Sequence, residues 1–208
     1  MERQVLEKLK LTPIPLIENT GECVIKLSGI SWQRFKQLDA CLDGIKSLRL
    51  TYVTGLLEIM TISSKHERLK TTIGYLLEAY MRENGIRFYG SGGFTLMKEG
   101  ESSGEPDESY CIGKDKDIPD IVIEVIITSG SIKKLDIYKS KNVAEVWFWK
   151  SEQLRIFHLK GNDYQEIPRS KFLPELDLDI LLRYTQYQDQ YDAVQDFVKA
   201  IQKNAPDY

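Results

Sequence analysis

The sequence predicts an α/β domain of the α+β kind with a mixed sheet, and three observations carry that expectation. The run Ile121-Val-Ile-Glu-Val-Ile-Ile127 is nearly all apolar and rich in β-branched residues. Such a run suits a central strand covered on both faces. Leu69, Ile73, Leu76, Leu77, Tyr80 and Met81 recur at helical spacing, which marks an amphipathic helix. The central elements follow in the order helix, three strands, helix, strand, and a sheet with helices on its faces is the simplest fold for that order.

The 208 residues, 42% of them apolar and 28% charged, suffice for one domain over 1–208 and leave little room for two. Residues 1–22 carry Pro13 and Pro15 and read as an extended arm. Ser31 precedes Trp32, Phe35, Leu38 and Leu42, the spacing of a short helix. Leu48 to Tyr52 and Leu56 to Met60 flank Thr54-Gly55 as a hairpin. Ser64 and Glu67 form a capping-box pattern ahead of the main helix, and Asn84-Gly85 supplies its stop.

Three strands are expected next. Ile86 to Met97 is interrupted by Gly90, Gly92 and Gly93 and should bend or bulge. Asp107 to Ile112 is the second strand and Asp120 to Thr128 the third. A polar helix is expected from Ser131 to about Lys141, with Ile132, Leu135 and Tyr138 on one face. Ala144 to Lys150 and Leu154 to Leu159 then form a hairpin around Ser151-Glu152. A last helix spans about 187–204, with Tyr191, Val194, Phe197, Val198 and Ile201 inward.

Composition excludes some functions. The net charge of −3 gives no global pull on nucleic acid, so a DNA-handling protein of this kind needs a local basic strip. Lys133, Lys134, Lys139 and Lys141 form the one strip in the sequence, and Trp147 and Trp149 behind it read as core. Cys23, Cys41 and Cys111 are far apart, without metal or redox spacing, and read as buried free thiols of a reducing compartment. Met1 to Leu11 is too charged for a signal peptide, and no stretch approaches the roughly 18 apolar residues of a membrane span. A cytoplasmic location is the expectation.

Glu124 stands out because a carboxylate in the middle of an apolar strand is costly without a partner. Position alone leaves two readings open: a structural glutamate at a kink, or a metal ligand. Asp107, after Pro106 at the start of the preceding strand, favours the second. The turn around Gly113 to Pro119 allows the two strands to pair and bring both carboxylates together. Two carboxylates, with waters and phosphate oxygens, suit Mg²⁺ or Mn²⁺, which can activate water for phosphodiester hydrolysis.

The succession Pro106-Asp107, Pro119-Asp120-Ile-Val-Ile-Glu124-Val125, Lys134-Leu-Asp-Ile-Tyr138 and Asn142-Val143-Ala-Glu145-Val-Trp147 resembles the Uma2 family of restriction-endonuclease-like proteins, in the PD-(D/E)XK nuclease superfamily. Gly55-Leu-Leu-Glu58-Ile-Met60 and Ser63-Ser64-Lys65-His66 resemble the family's leading motif. The resemblance implies a nuclease-like core over 48–164 and a metal-dependent endonuclease acting on DNA, with a homodimer compatible with it. By the same resemblance Asp107 and Glu124 match the acidic metal ligands. Ile126 stands where the wider superfamily has its lysine, Lys134 on the next helix is the substitute (with Lys139 the other candidate), and His66 is an auxiliary group facing the metal. A nuclease-fold protein that binds nucleic acid or a protein without cutting is the alternative.

Overall fold

The computed structural model describes residues 22–127 and 134–203. Two sheets make up the framework. The larger has six strands in the order β11-β10-β9-β8-β7-β4, comprising β4 (Phe88–Gly90), β7 (Glu108–Ile112), β8 (Ile121–Ile126), β9 (Glu145–Lys150), β10 (Gln153–Lys160) and β11 (Asp163–Ile167). Only β8 and β9 run parallel, and the other neighbours are antiparallel. The crossover between β8 and β9 contains helix α3 (Lys134–Ser140). Such a connection is needed because a hairpin cannot join parallel strands.

The smaller sheet is antiparallel, in the order β1-β3-β2-β6-β5. Its strands are β1 (Val24–Ser28), β2 (Leu48–Val53), β3 (Leu56–Thr61), β5 (Leu96–Lys98) and β6 (Ser102–Gly104). Helix α1 (Trp32–Leu42) covers one face of it through Phe35, which stacks on Tyr52 at 4.9 Å between ring centroids, beside Leu57. The other face turns towards α3. A Cβ at Gly104 would lie 2.8 Å from Ile137 Cδ1, so only glycine allows the helix so close.

Every residue of β8 is buried, as the apolar run predicts. Alternation splits them between two cores. Ile121, Ile123 and Val125 pack with Trp147 beneath helices α2 (Ser64–Glu83), α4 (Leu178–Thr185) and α5 (Gln190–Lys203). Val122 and Ile126 pack with Tyr138, Val146, Phe148 and Leu96 on the α3 side. Glu124 falls on that second face by the same period.

The predicted hairpin at β2–β3, the strands at β7 and β8, the hairpin at β9–β10 and the tryptophans in the core are all present. The glycine-interrupted segment does more than bend: it contributes β4 to one sheet and β5 to the other. The second sheet, with β1 and β6, went unpredicted, as did β11 and α4. The last helix begins at Gln190, because Asp189 Oδ1 accepts from the amides of Tyr191 and Asp192 and acts as its cap. Arm residues 1–21 and helix residues 131–133 lie outside the described residues.

Two local expectations need correction. The main helix is capped by Ser63, whose hydroxyl accepts from the His66 amide at 3.1 Å. Glu67 turns instead to Lys70, at 2.6 Å, because an ammonium one turn along competes successfully with the serine amide for its carboxylate. Of the thiols, only Cys111 is buried; Cys23 is exposed just before the edge strand β1, and Cys41 is half-buried at the end of α1.

Candidate active site

Asp107 precedes β7 and grips the centre of β8 from both sides of Glu124. Its backbone amide donates to Ile123 O at 3.0 Å, and its Oδ2 accepts from the Val125 amide at 2.7 Å. Gly93 packs against the same segment, where a Cβ would lie 2.8 Å from the Pro106 carbonyl. Both carboxylates are buried, at 2% and 0% exposure. That burial demands compensation.

Compensation arrives from three separate elements. Arg49 on β2 donates through Nη1 to Asp107 Oδ1 at 2.6 Å. His66, at the start of α2 and fully buried, places Nε2 3.3 Å from Asp107 Oδ2 and 3.1 Å from Val125 O. Lys134, the first described residue of α3, donates to Glu124 Oε2 at 2.7 Å. One helical turn later Tyr138 donates to Glu124 Oε1. The i, i+4 spacing on α3 lets both groups reach one carboxylate.

The electrostatics differ sharply between the two acids. Burial alone would raise Asp107, but the His66 hydrogen bond and the charges of His66, Lys134 and Arg49 hold it below the usual range. Glu124 is pushed up, first by burial and then by Asp107, against the pull of Lys134. Burial would lower Lys134, yet Glu124, Asp107 and the buried Glu58 on β3 raise it above its ordinary value. For His66, burial is likewise outweighed by Asp107, and its net shift is upward. Burial and Glu124 push the Tyr138 hydroxyl far up, so it remains a donor. A low and a high carboxylate side by side is a common arrangement at catalytic sites.

Asp107, Glu124, Lys134 and His66 are therefore assembled in one place. Lys139 is not: its ammonium faces Asp163 at 2.7 Å on the surface. The basic strip is thereby divided, because residues five apart on a helix point to different sides. Three participants were missed in the sequence. Arg49 interrupts an otherwise apolar hairpin strand, and that was its signal. Tyr138 read as core because its ring is core; only its hydroxyl reaches Glu124. Glu58 sits opposite Thr51 on the sheet face that meets α3, which needs the second sheet to be known.

Among the described residues no three or more His, Cys, Asp or Glu side chains are grouped as a metal shell. The donor set nevertheless suits a hard cation that keeps much of its water: two carboxylates on neighbouring strands, and the Val125 carbonyl beside Asp107. All four carboxylate oxygens already accept from protein donors. An ion would share or displace these donors.

An α+β core with paired buried carboxylates beside a lysine is the setting expected of a nuclease-like protein. The model of the Uma2 family, described as "Putative restriction endonuclease", matches residues 32–186, and the chain belongs to that family. Membership of the PD-(D/E)XK superfamily is consistent with it. A search of curated proteins finds no match. The family supports a nuclease-like function, and no helix among the described residues is long and apolar enough to cross a membrane.

Proposed function

We propose that the chain is a cytoplasmic, metal-dependent endonuclease that hydrolyses phosphodiester bonds of DNA, with its catalytic unit in 48–164 of a single domain. The observation that carries this reading is the convergence of Lys134, His66 and Arg49, from three different elements, on two adjacent buried carboxylates. A fold needs no such expensive cluster for stability alone.

Asp107 and Glu124 would hold Mg²⁺ or Mn²⁺, with Val125 O as a neutral oxygen beside them. When bound, the ion polarises the phosphodiester and makes water a better nucleophile. Lys134 offsets the negative charge that develops on the phosphoryl oxygens, and its ammonium is kept protonated by the surrounding acids. His66 fixes the Asp107 carboxylate through Nε2, which also lies 3.1 Å from the Val125 carbonyl. Arg49 holds the other oxygen of the same group.

A second reading, a nuclease-fold protein that binds without cutting, is favoured by one observation: every oxygen of the two carboxylates has a protein donor. The deciding experiment incubates supercoiled and linear DNA with the purified protein in Mn²⁺ or Mg²⁺ at low salt. Nicking that EDTA abolishes and Glu124→Gln removes supports the endonuclease. DNA binding without cleavage in any metal supports the binding protein.

A further inference from the structure

The face of β7 opposite Asp107 holds a second group of polar side chains. Tyr110 is 1% exposed, and its hydroxyl has no hydrogen-bond partner among the described residues. Glu108, two residues back on the same face, is half-buried and takes part in no hydrogen bond or ion pair there. A Cβ built on Gly74 of α2 would come within 3.3 Å of the Tyr110 hydroxyl and 3.8 Å of Glu108 Oε1. A Cβ on Gly90 would lie 3.4 Å from the Tyr110 ring and 3.9 Å from Glu78 Oε1. Both glycines thus lie against the Tyr110 side chain, Gly74 beside its hydroxyl and Glu108, Gly90 beside its ring and Glu78.

The cations nearest this group are committed to other carboxylate oxygens. Lys70 acts on Glu108, but its ammonium is committed to Glu67 at 2.6 Å. Arg82 meets Glu78 through Oε2 at 3.2 Å, leaving Oε1 on the Gly90 side. A buried phenol oxygen without a partner is costly, and so is a carboxylate facing other carboxylates.

We propose that Glu108, Glu78 and the Tyr110 hydroxyl form a second divalent-cation site, distinct from Asp107 and Glu124 and separated from them by the thickness of β7. The ligand class is a hard divalent ion, Mg²⁺, Ca²⁺ or Mn²⁺: the donors are all oxygen, two of them carboxylates, and water completes the shell. An ion there neutralises the acids, gives the Tyr110 oxygen a partner, and braces the strand that Asp107 immediately precedes. The inference does not depend on the chain being a nuclease.

Mn²⁺ binding to the full-length protein, counted from the free-ion electron paramagnetic resonance signal, tests it. The parent chain is expected to bind two ions, Glu108→Gln one, and Glu124→Gln one, the last retained at Glu108. Tyr110→Phe weakens the retained ion severalfold without abolishing it. Glu78→Gln repeats the count if Glu108→Gln does not fold. An unchanged count in Glu108→Gln or Glu78→Gln overturns the site, and a bound water is then the partner of the Tyr110 hydroxyl. An unchanged count in Glu124→Gln, with an ion still lost in Glu108→Gln, overturns the Asp107–Glu124 metal site and leaves this one standing.

Discussion

Two glutamates on adjacent parallel strands are both fully buried, yet they serve different ends. Glu145, at the start of β9, accepts from the Trp147 indole at 3.0 Å, the Ser170 hydroxyl at 2.7 Å and the Lys171 amide at 2.6 Å. Two of these donors belong to the loop before α4, so the carboxylate staples that loop to the sheet. Ser170 Oγ in turn accepts from the amides of Phe172 and Leu173. Glu124, in the middle of β8, meets a lysine, a tyrosine and a second acid. Neutral, fixed donors make a structural carboxylate; a charged partner and a like-charged neighbour make one whose state can change.

The same substitution at both positions tests that distinction most directly. Glu124→Gln keeps an acceptor for Tyr138 and relieves repulsion with Asp107, while Asp107 and Glu58 still balance Lys134. Its amide nitrogen faces the Lys134 ammonium, a cost that the relieved repulsion offsets, so its stability in EDTA should fall by no more than about 2 kcal/mol. Its DNA cleavage in Mn²⁺ should fall on the order of 10³-fold, because the ion loses an anionic ligand worth several kcal/mol in the transition state. Cleavage at the parent rate would move Glu124 into the structural class.

Glu145→Gln should do the reverse. The three groups hydrogen-bonded to it are all donors, with His158 Nδ1 farther off at 3.6 Å from Oε1, so an amide nitrogen must face one of the donors and leave it unsatisfied. A loss of roughly 2–4 kcal/mol in urea unfolding follows, with cleavage per folded molecule unchanged. A stable Glu145→Gln protein that no longer cuts would dissolve the contrast.

A smaller effect sharpens it. His66 is raised above its ordinary value by Asp107, so its protonated form is favoured by folding. That contribution is complete below the unfolded value near 6.5 and is lost as pH rises through the folded value. In EDTA the parent should therefore lose stability as pH rises above about 6.5, by about 1.4 kcal/mol for each unit the value is raised. His66→Gln should flatten this slope. Equal slopes would mean that Asp107 does not hold the imidazole.

The difference between the glutamates was half legible in the sequence. An acid inside a β-branched run announced Glu124, because no apolar strand tolerates one without cause. Glu145 gave no comparable signal: its donors lie some 25 residues away and the chain must fold for them to meet. The central elements α2, β7, β8, α3 and β9 followed from periodicity together with cap and turn residues. The smaller sheet did not, since β5 and β6 have three residues each, too few for any period to show. Arg49 and Glu58 entered the site only through that sheet. Lys134 and His66 could be named from the family resemblance, whereas their partners' geometry depended on α3 and the cap at Ser63.

The smallest expected effect separates the two lysines of α3. Lys134 lies against Glu124 with its side chain 11% exposed, while Lys139 and its partner Asp163 stand in solvent at 41% and 82%. Exposed ion pairs contribute little because water screens them and two long side chains must be ordered. Lys139→Ala should leave the unfolding midpoint and the cleavage rate in Mn²⁺ indistinguishable from the parent. Lys134→Ala should lose cleavage, since no other ammonium among the described residues contacts Glu124. The comparison is best made at two salt concentrations. If Lys139 contributed to a phosphate-binding strip, its removal would weaken DNA binding and reduce the salt dependence by about one counterion. A salt slope equal to the parent's would confine the work of α3 to Lys134 and Tyr138, the two residues one turn apart that face the carboxylate. A reduced slope, with cleavage intact at low salt, would make Lys139 part of the DNA-binding surface and restore the strip that the fold divides.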